Sequence, residues 1–503
     1  MATQHPDNAS VPWWSKDAFI STQDEIGELL LLFKELPIDE YMWDWEGKFV
    51  DESVGEKLYG RAADFFAEKP LGEALHLTYR IPAFDGSKMH RMARAFMNVL
   101  SLADLSRDLG LSRPPVSELF LPLTTSADQP LQVREAFKKI AEYHRLVFHG
   151  GTSEESLMHL LEVTPLVEDV DSIFGIEGIV RPYWEKLLRD RKGKMPRGQR
   201  IFLARSDPAM NAGLVPAVLA IKSALSTVHG LGASLGFPVY PVIGTGSLPF
   251  RGSVNPTHID TFLDQYAGVS TYSIQSAFRY DYPLEDVRRA LETIRSETPL
   301  RTVLHIPAPD QVRLRTLSGL FSEHWKPTVE KIAGLINAVA RHIPARRERL
   351  QHIGLFGYSR GVGKVQLPRA IGFTGALYSI GLPPELIATG RGLLAAEAQG
   401  FLPLLDTYYP ALRADLQHAG KYFNRENLEI LGREDDIYKD IAIGIAAIER
   451  ILGIPLGPEK PHHMIHRNHT STILHLLRSQ GQTDGNAIGR TLLDAAVIRR
   501  SLG

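Results

Sequence analysis

Glu168 and Asp207 are the acidic residues whose placement points most directly to chemistry. Each closes a short hydrophobic run, HLLEVTPLVE for Glu168 and RIFLARSD for Asp207, and the two runs are successive. If both are strands of one parallel barrel, the carboxylates project at a common mouth. Two hard oxygen ligands there, completed by water and substrate, suit Mg²⁺ or Mn²⁺. A structural alternative competes, because Ser206, Asp207 and Asp169 are all good helix N-caps. Spacing alone leaves both readings open, and it is the strand-end position that brings in the metal.

Cations and an anion-binding turn come next. The stretch GTGSLPFRG, residues 244–252, follows a hydrophobic run with small residues that let backbone N–H groups approach a ligand. Gly246 and Ser247 are candidate contacts in it, and Arg251 adds a permanent charge with two-pronged geometry. Such turns also merely reverse the chain. GYSRGVGK, residues 357–364, is not a nucleotide loop, since Val365 stands where a hydroxyl residue would hold magnesium. It leaves Arg360, Lys364 and, beyond it, Arg369, a cluster suited to a phosphorylated or dicarboxylate ligand or, residue by residue, to solvent.

The histidines read less well. His5, in TQHPDNA, belongs on local grounds to a frayed tail with a Pro-Asp-Asn turn. His462, His463, His466 and His469 cluster at partly helical spacing, but no carboxylate motif accompanies them, and they read as surface.

Elements able to position these residues recur along the chain. LHLTYR ends at Arg80, ELFLPLTT at Thr125, PVYPVIGTG at Gly246, TYSIQ at Gln275 and HIGLFGYSR at Arg360, with helical periodicity following most of them. Val133, Phe137, Ile140 and Ala141 share one helical face, as do Val218, Ile221, Leu225 and Val228. Strand, polar tip and helix in repetition predict an α/β fold, a (β/α)8 TIM-type barrel whose loops after the strands build an active site. A long helix from Arg313 to about His342 and a mostly helical last hundred residues, with a stripe of Ile437, Ile441, Ile445, Ile448 and Leu452, add many helices beyond the eight a barrel needs. No linker or repeat divides the chain. The expectation is one domain over 1–503, with a barrel core at about 70–395 and a helical C-terminal extension at about 396–503.

Composition excludes several classes. Lys plus Arg (56) nearly balance Asp plus Glu (58), so no global field draws nucleic acid or an anionic membrane. The absence of cysteine removes disulfides, thiolate metal sites and thiol nucleophiles. No signal-peptide pattern opens the sequence, and no run reaches the roughly 18 apolar residues of a membrane span. A cytoplasmic location is the default expectation.

Taken together, TQHPDNA, PLVED (165–169), FLARSDPAMNAG (202–213), IGTGSLPFRG (243–252), TYSIQSAFRYD (271–281) and LPRAIGFTGALYSIGLPPELIATGRGL (367–393) resemble the short, archaeal-type phosphoenolpyruvate carboxylases. The motifs stand in family order and span about residues 3–393. The resemblance implies a barrel of the phosphoenolpyruvate/pyruvate superfamily and one reaction, phosphoenolpyruvate plus bicarbonate giving oxaloacetate and phosphate. It runs via carboxyphosphate and a metal-stabilised enolate and serves anaplerotic carbon fixation. It also implies Mg²⁺ or Mn²⁺ on Glu168 and Asp207, and a homotetramer.

Carried over onto matching positions, His5 corresponds to the histidine placed to deprotonate carboxyphosphate. Arg251 and Arg369 correspond to arginines of the glycine-rich loop and of the Arg-Ala-Ile motif, and Arg360 resembles one upstream of the latter. Gly246, Ser247 and Gln275 fall within family motifs. Two cations of the longer enzymes are missing, replaced by Thr245 and Met210, and Arg80, Arg205 and Lys364 are the candidates to stand in for them. A histidine of the longer enzymes' loop is missing too. Other metal-dependent lyases or mutases of the superfamily, and a non-catalytic helical scaffold, are the alternatives.

Overall fold

The structure, a computed structural model, describes residues 1–86, 88–111, 113–150, 161–192, 198–348, 360–362, 365–479 and 485–503. Its centre is an eight-stranded, wholly parallel sheet in sequential order. The strands are β1 (Ala2–Thr3), β2 (Glu40–Asp44), β3 (His76–Arg80), β4 (Glu118–Leu121), β5 (Glu162–Val167), β6 (Gln199–Ala204), β7 (Val239–Gly244) and β8 (Thr271–Tyr272). Parallel neighbours require crossover connections, which helices such as Met89–Asp108 and Asp128–Phe148 supply. Just past β8, Ile274 donates its N–H to the Met1 carbonyl and accepts from Thr3 N–H, at 2.8 and 3.2 Å.

Strand sequences such as QRIFLA and ELFL bury nearly every residue, as sheets covered on both faces do. The helices turn the expected faces inward: Val133, Phe137 and Ala141 are buried on Asp128–Phe148, and Val218, Ile221, Leu225 and Val228 on Leu214–Leu235. Leu214–Leu235 is also the one helix among the described residues long and apolar enough to cross a membrane, contrary to the reading from composition. Since 83% of its apolar window is buried inside the protein, its hydrophobicity serves the core.

One expectation about boundaries needs correcting. The sheet starts at Ala2, not near residue 70, because β1 is only two residues long and β2 carries charged Glu40 and Asp44 at its ends, which hides any apolar run. The run expected to end at Arg360 lies outside the described residues except for Arg360 itself, from which Arg360–Val362 (β9) pairs antiparallel with Val365–Leu367 (β10) in a separate hairpin.

A second hydrophobic core lies around the 33-residue helix Ala308–Ala340, with Phe321, Trp325, Val329 and Ile332 at its centre. Ile437, Ile441, Ile445 and Ile448 of Asp436–Leu452 join it. The helix Thr389–Ala398 approaches Asp436–Leu452 closely at Gly390, where a Cβ would lie 1.7 Å from the Gly444 carbonyl oxygen, so glycine is obligatory.

Candidate active site

At the carboxyl ends of the strands a cavity of about 70 Å³ gathers residues far apart in sequence: His5, Arg80, Glu168, Asp207, Arg251, Gln275 and Arg369. Met42, Leu166 and Phe202 line its apolar side.

Glu168 follows β5 directly, and its Oε2 accepts the N–H of Leu123 at 2.8 Å. Leu123 has φ 55°, a left-handed backbone that costs a branched residue on the order of 1 kcal/mol. The contact to Glu168 and the Thr124 N–H to Leu166 carbonyl bond, 3.1 Å, hold it there. The capping alternative divides between neighbours. Asp169 does cap its helix, accepting from Ser172 N–H at 2.8 Å, whereas Asp207 stands in the first turn of Ser206–Ala212 behind Arg205 as N-cap.

Arg80, the last residue of β3, pairs with buried Glu46. Burial pushes the Glu46 carboxyl up to about 7, with Glu168 and Asp44 adding to the rise and Arg80 opposing it. Its Oε1 is buried without a hydrogen-bond partner. Asp44, the last residue of β2, moves the other way: burial raises it, but Arg80, Arg369 and the N–H groups of Gly47 and Glu46 outweigh that. Gly47 lies against Arg369, whose Nη1 would be 2.9 Å from a Cβ there. Asp44, Glu46 and Gly47 escaped the sequence reading because β2 did, and the acid-x-acid-Gly pattern right after EYMW was the available signal.

Arg251 ends a 3-10 turn, Pro249–Arg251, and is fully enclosed. It donates to Asp7 Oδ2 at 3.0 Å, to Ser206 Oγ at 3.2 Å, to Gln275 Oε1 and to the Gly503 carbonyl. Gly246 lies flat on its guanidinium, with room for no Cβ. Asp7 also accepts Ala277 N–H at 2.7 Å, and burial raises its carboxyl despite Arg251. These contacts and β1 anchor the N-terminal segment, so His5 lines the cavity instead of fraying, with its Nδ1 2.9 Å from Thr3 Oγ1. Glu385, in the quoted LPPELI stretch, was also missed. Its Oε1 accepts Phe250 N–H and Tyr378 O–H, each at 2.7 Å, bracing the same turn, and burial raises its carboxyl to about 7.

The remaining expected contacts distribute unevenly. Arg205 lines the cavity, but its guanidinium donates to Tyr266 Oη at 2.9 Å and to the Phe250 and Pro249 carbonyls at 2.9 and 3.2 Å, so it braces the loop. Ser247 is buried outside the cavity lining. The side chain of Arg360 and all of Lys364 lie outside the described residues. Thr245 and Met210, which replace the missing cations, are both fully buried, the first bonded to Ser273 and the second in the helical core.

Of the C-terminal histidines, His462 is exposed as expected and His469 half-buried, but the other two are not at the surface. His463 and His466 are buried: Nδ1 of His463 takes the Lys460 N–H at 3.2 Å, and His466 packs on Tyr422 and Arg499. A different donor set, Asp104, His144 and His149, brings ligating atoms within 4.8 Å of one another on the outer helices, away from the mouth, where the two imidazoles flank one carboxylate at 3.3 and 3.1 Å.

The family model described as phosphoenolpyruvate carboxylase matches residues 1–503. A phosphoenolpyruvate carboxylase of Metallosphaera sedula is 36% identical over 516 residues, covering 100% of this chain and 99% of its own. Those of Leuconostoc mesenteroides and Pyrococcus horikoshii are 35% and 38% identical, covering 93% and 86% of this chain and 92% and 90% of their own. Whole-length matches of this kind, to archaeal and bacterial proteins alike, make the chain a member of the phosphoenolpyruvate carboxylase family, in its archaeal-type branch.

Proposed function

We propose that the protein carboxylates phosphoenolpyruvate with bicarbonate, giving oxaloacetate and phosphate, inside a closed (β/α)8 barrel. Family membership supports the reaction, and the Ile274 hydrogen bonds to Met1 and Thr3 support closure of β8 onto β1. The observation that carries the residue assignment is the convergence of His5, Arg80, Glu168, Asp207, Arg251 and Arg369 on one cavity.

A divalent cation fits the donor set, since Glu168 and Asp207 offer two carboxylates among arginines that cannot themselves ligate a metal. Mg²⁺ or Mn²⁺ held by them would supply charge stabilisation for an oxygen that becomes anionic. The chain's own groups account for the rest. Arg251 and Arg369 bind the phosphate and Arg80 the carboxylate end, through charge-assisted pairs. Bicarbonate oxygen attacks phosphorus and the bond to the enol oxygen breaks, giving carboxyphosphate and an enolate. His5 takes the carboxyl proton of carboxyphosphate, whose C–O bond to phosphate then opens to CO₂. The methylene carbon of the enolate attacks that CO₂. Gly246 leaves Arg251 unobstructed, and Gln275 orients it. A homotetrameric, cytoplasmic, single-domain enzyme is part of the same proposal, and light scattering of the purified protein reads the assembly.

Coupling to malate dehydrogenase tests the reaction: NADH is consumed only with phosphoenolpyruvate, bicarbonate and Mg²⁺ or Mn²⁺ all present. No consumption at saturation rejects it, and phosphate release without bicarbonate points to a superfamily lyase or mutase instead. His5→Ala binds substrate normally but forms almost no oxaloacetate, with pyruvate accumulating as the enolate escapes. Unchanged oxaloacetate formation removes His5 from the mechanism.

A further inference from the structure

Asp104, His144 and His149 line no part of the active-site cavity. Crossover helices run antiparallel to the strands they join, so Met89–Asp108 and Asp128–Phe148 carry their last turns to the amino ends of the strands, opposite the mouth. The two helices pack together, with Phe96 and Phe137 edge to face at 5.4 Å. On one continuous helix, side chains five residues apart, as His144 and His149 are, would point about 140° apart. The helix ends at Phe148, however, and the non-helical backbone of His149, φ -120° and ψ 11°, brings its ring back to 5.3 Å from that of His144.

Asp104 meets both rings. Nε2 of His144 lies 3.3 Å from its Oδ2 and Nε2 of His149 3.1 Å from its Oδ1, and the three donor groups come within 4.8 Å of one another. Ligands bonded tetrahedrally to one ion at about 2.0–2.1 Å stand about 3.3 Å apart, so both contacts are close to such an edge. Asp104 Oδ1 is buried and makes no hydrogen bond, although Arg107 Nη1 also lies 3.3 Å from it. Hydrogen bonding therefore leaves this carboxylate incompletely satisfied, which an ion seated between the donors remedies. Arg107 is half-exposed and can turn into water, while the partial exposure of Asp104 and His149 leaves a way in for the ion and a fourth position for water. Two imidazoles with one carboxylate suit Zn²⁺ and its neighbours among the transition metals, whereas Mg²⁺ takes oxygen ligands. The carboxylates at the mouth have the opposite preference, so the two sites sort their metals by donor type.

We propose that Asp104, His144 and His149 bind a divalent transition-metal ion of the zinc class, which clasps the ends of these two helices and is separate from the catalytic cation.

Titration of the chelator-treated full-length protein with Zn²⁺ in excess Mg²⁺ tests this, read by calorimetry and by Tm. The expected result is a single saturable equivalent that phosphoenolpyruvate does not displace and Asp207→Asn retains, with a higher Tm when Zn²⁺ is bound. His149→Ala and Asp104→Asn weaken binding about 100-fold or more and erase the gain in Tm. His149 is a partly exposed helix-end residue, so metal-free His149→Ala keeps the Tm of the metal-free parent and near-normal turnover in the coupled assay. Co²⁺ bound in place of Zn²⁺ gives a second readout, visible d–d bands that both variants lose. Affinity or bands unchanged in both variants, loss of the Zn²⁺ in Asp207→Asn, displacement by the excess Mg²⁺, or no saturable uptake overturns the proposal.

Discussion

The two ends of the parallel sheet use the same residue types to opposite purpose. At the amino ends, Arg200 near the start of β6 donates to Glu40 Oε1 and Oε2, both at 3.0 Å, and to Glu118 Oε2 at 2.6 Å. Thr78 and Thr164 fill further lone pairs of Glu40 and Glu118. The Phe120 ring covers the guanidinium at 5.3 Å. In this cluster one guanidinium is shared by two carboxylates. At the carboxyl ends Asp44, Glu46, Glu168 and Asp207 crowd together with Arg80 and Arg369, and Glu46 keeps an oxygen unpartnered. Charges at the amino ends are satisfied among themselves, whereas at the carboxyl ends Arg80, Glu168, Asp207 and Arg369 line the cavity in which substrate and a cation are proposed to bind. The contrast divides the sheet into an end closed on itself and an end that lines the cavity.

Substitutions at each end test that division. The largest effect is expected for Asp207→Asn, which removes one carboxylate of the proposed cation site: turnover in the coupled assay falls by about 1000-fold or more, near 4 kcal/mol, while metal titration weakens in parallel. An unaltered metal titration takes Asp207 out of the site. Arg200→Met comes next, stranding two buried carboxylates and lowering unfolding stability by about 3 kcal/mol, with turnover per folded molecule near normal. A loss of turnover at unchanged stability would erase the contrast between the ends.

Acidification should produce a smaller change. Despite burial, Arg200 holds Glu40 down to about 2 in the folded state, against 4.5 ordinarily. Its contribution is therefore complete above pH 4.5 and is lost as pH falls from there toward 2. Urea titrations should show a decline of about 1–2 kcal/mol across that window, which Glu40→Gln flattens. Smallest of all, Arg289→Ala breaks an exposed pair with Asp286 and shifts stability by less than about 0.5 kcal/mol. A larger shift would mean that closed pairs matter wherever they lie, not only beneath the sheet.

Legibility in the sequence followed the range of the interaction. β3 to β8 could be read because each is an apolar run with a polar tip, and their tips Arg80, Glu168, Asp207 and Gln275 all reach the cavity. β1 and β2 could not, since two residues show no period and a strand with acidic ends resembles a loop. With them went Asp44, Glu46 and Asp7. Arg205 was legible as a strand-end cation, but nothing local revealed that its guanidinium turns back to the Pro249 and Phe250 carbonyls. The histidines near residue 465 looked exposed because their helix is polar on average, yet Tyr422 and Arg499, distant in sequence, cover His466.

The amino-acid sequence by itself determined the strand–helix alternation, the acidic and basic residue types at the strand ends and the family motifs, because these depend on neighbours a few positions apart. Only the tertiary structure decided that His5 enters the cavity, that Asp7 and Gln275 grip Arg251, and that Glu46 faces Glu168. Those contacts depend on pairing strands from residues 2 to 272, and no local spacing encodes which distant side chains such a sheet brings together.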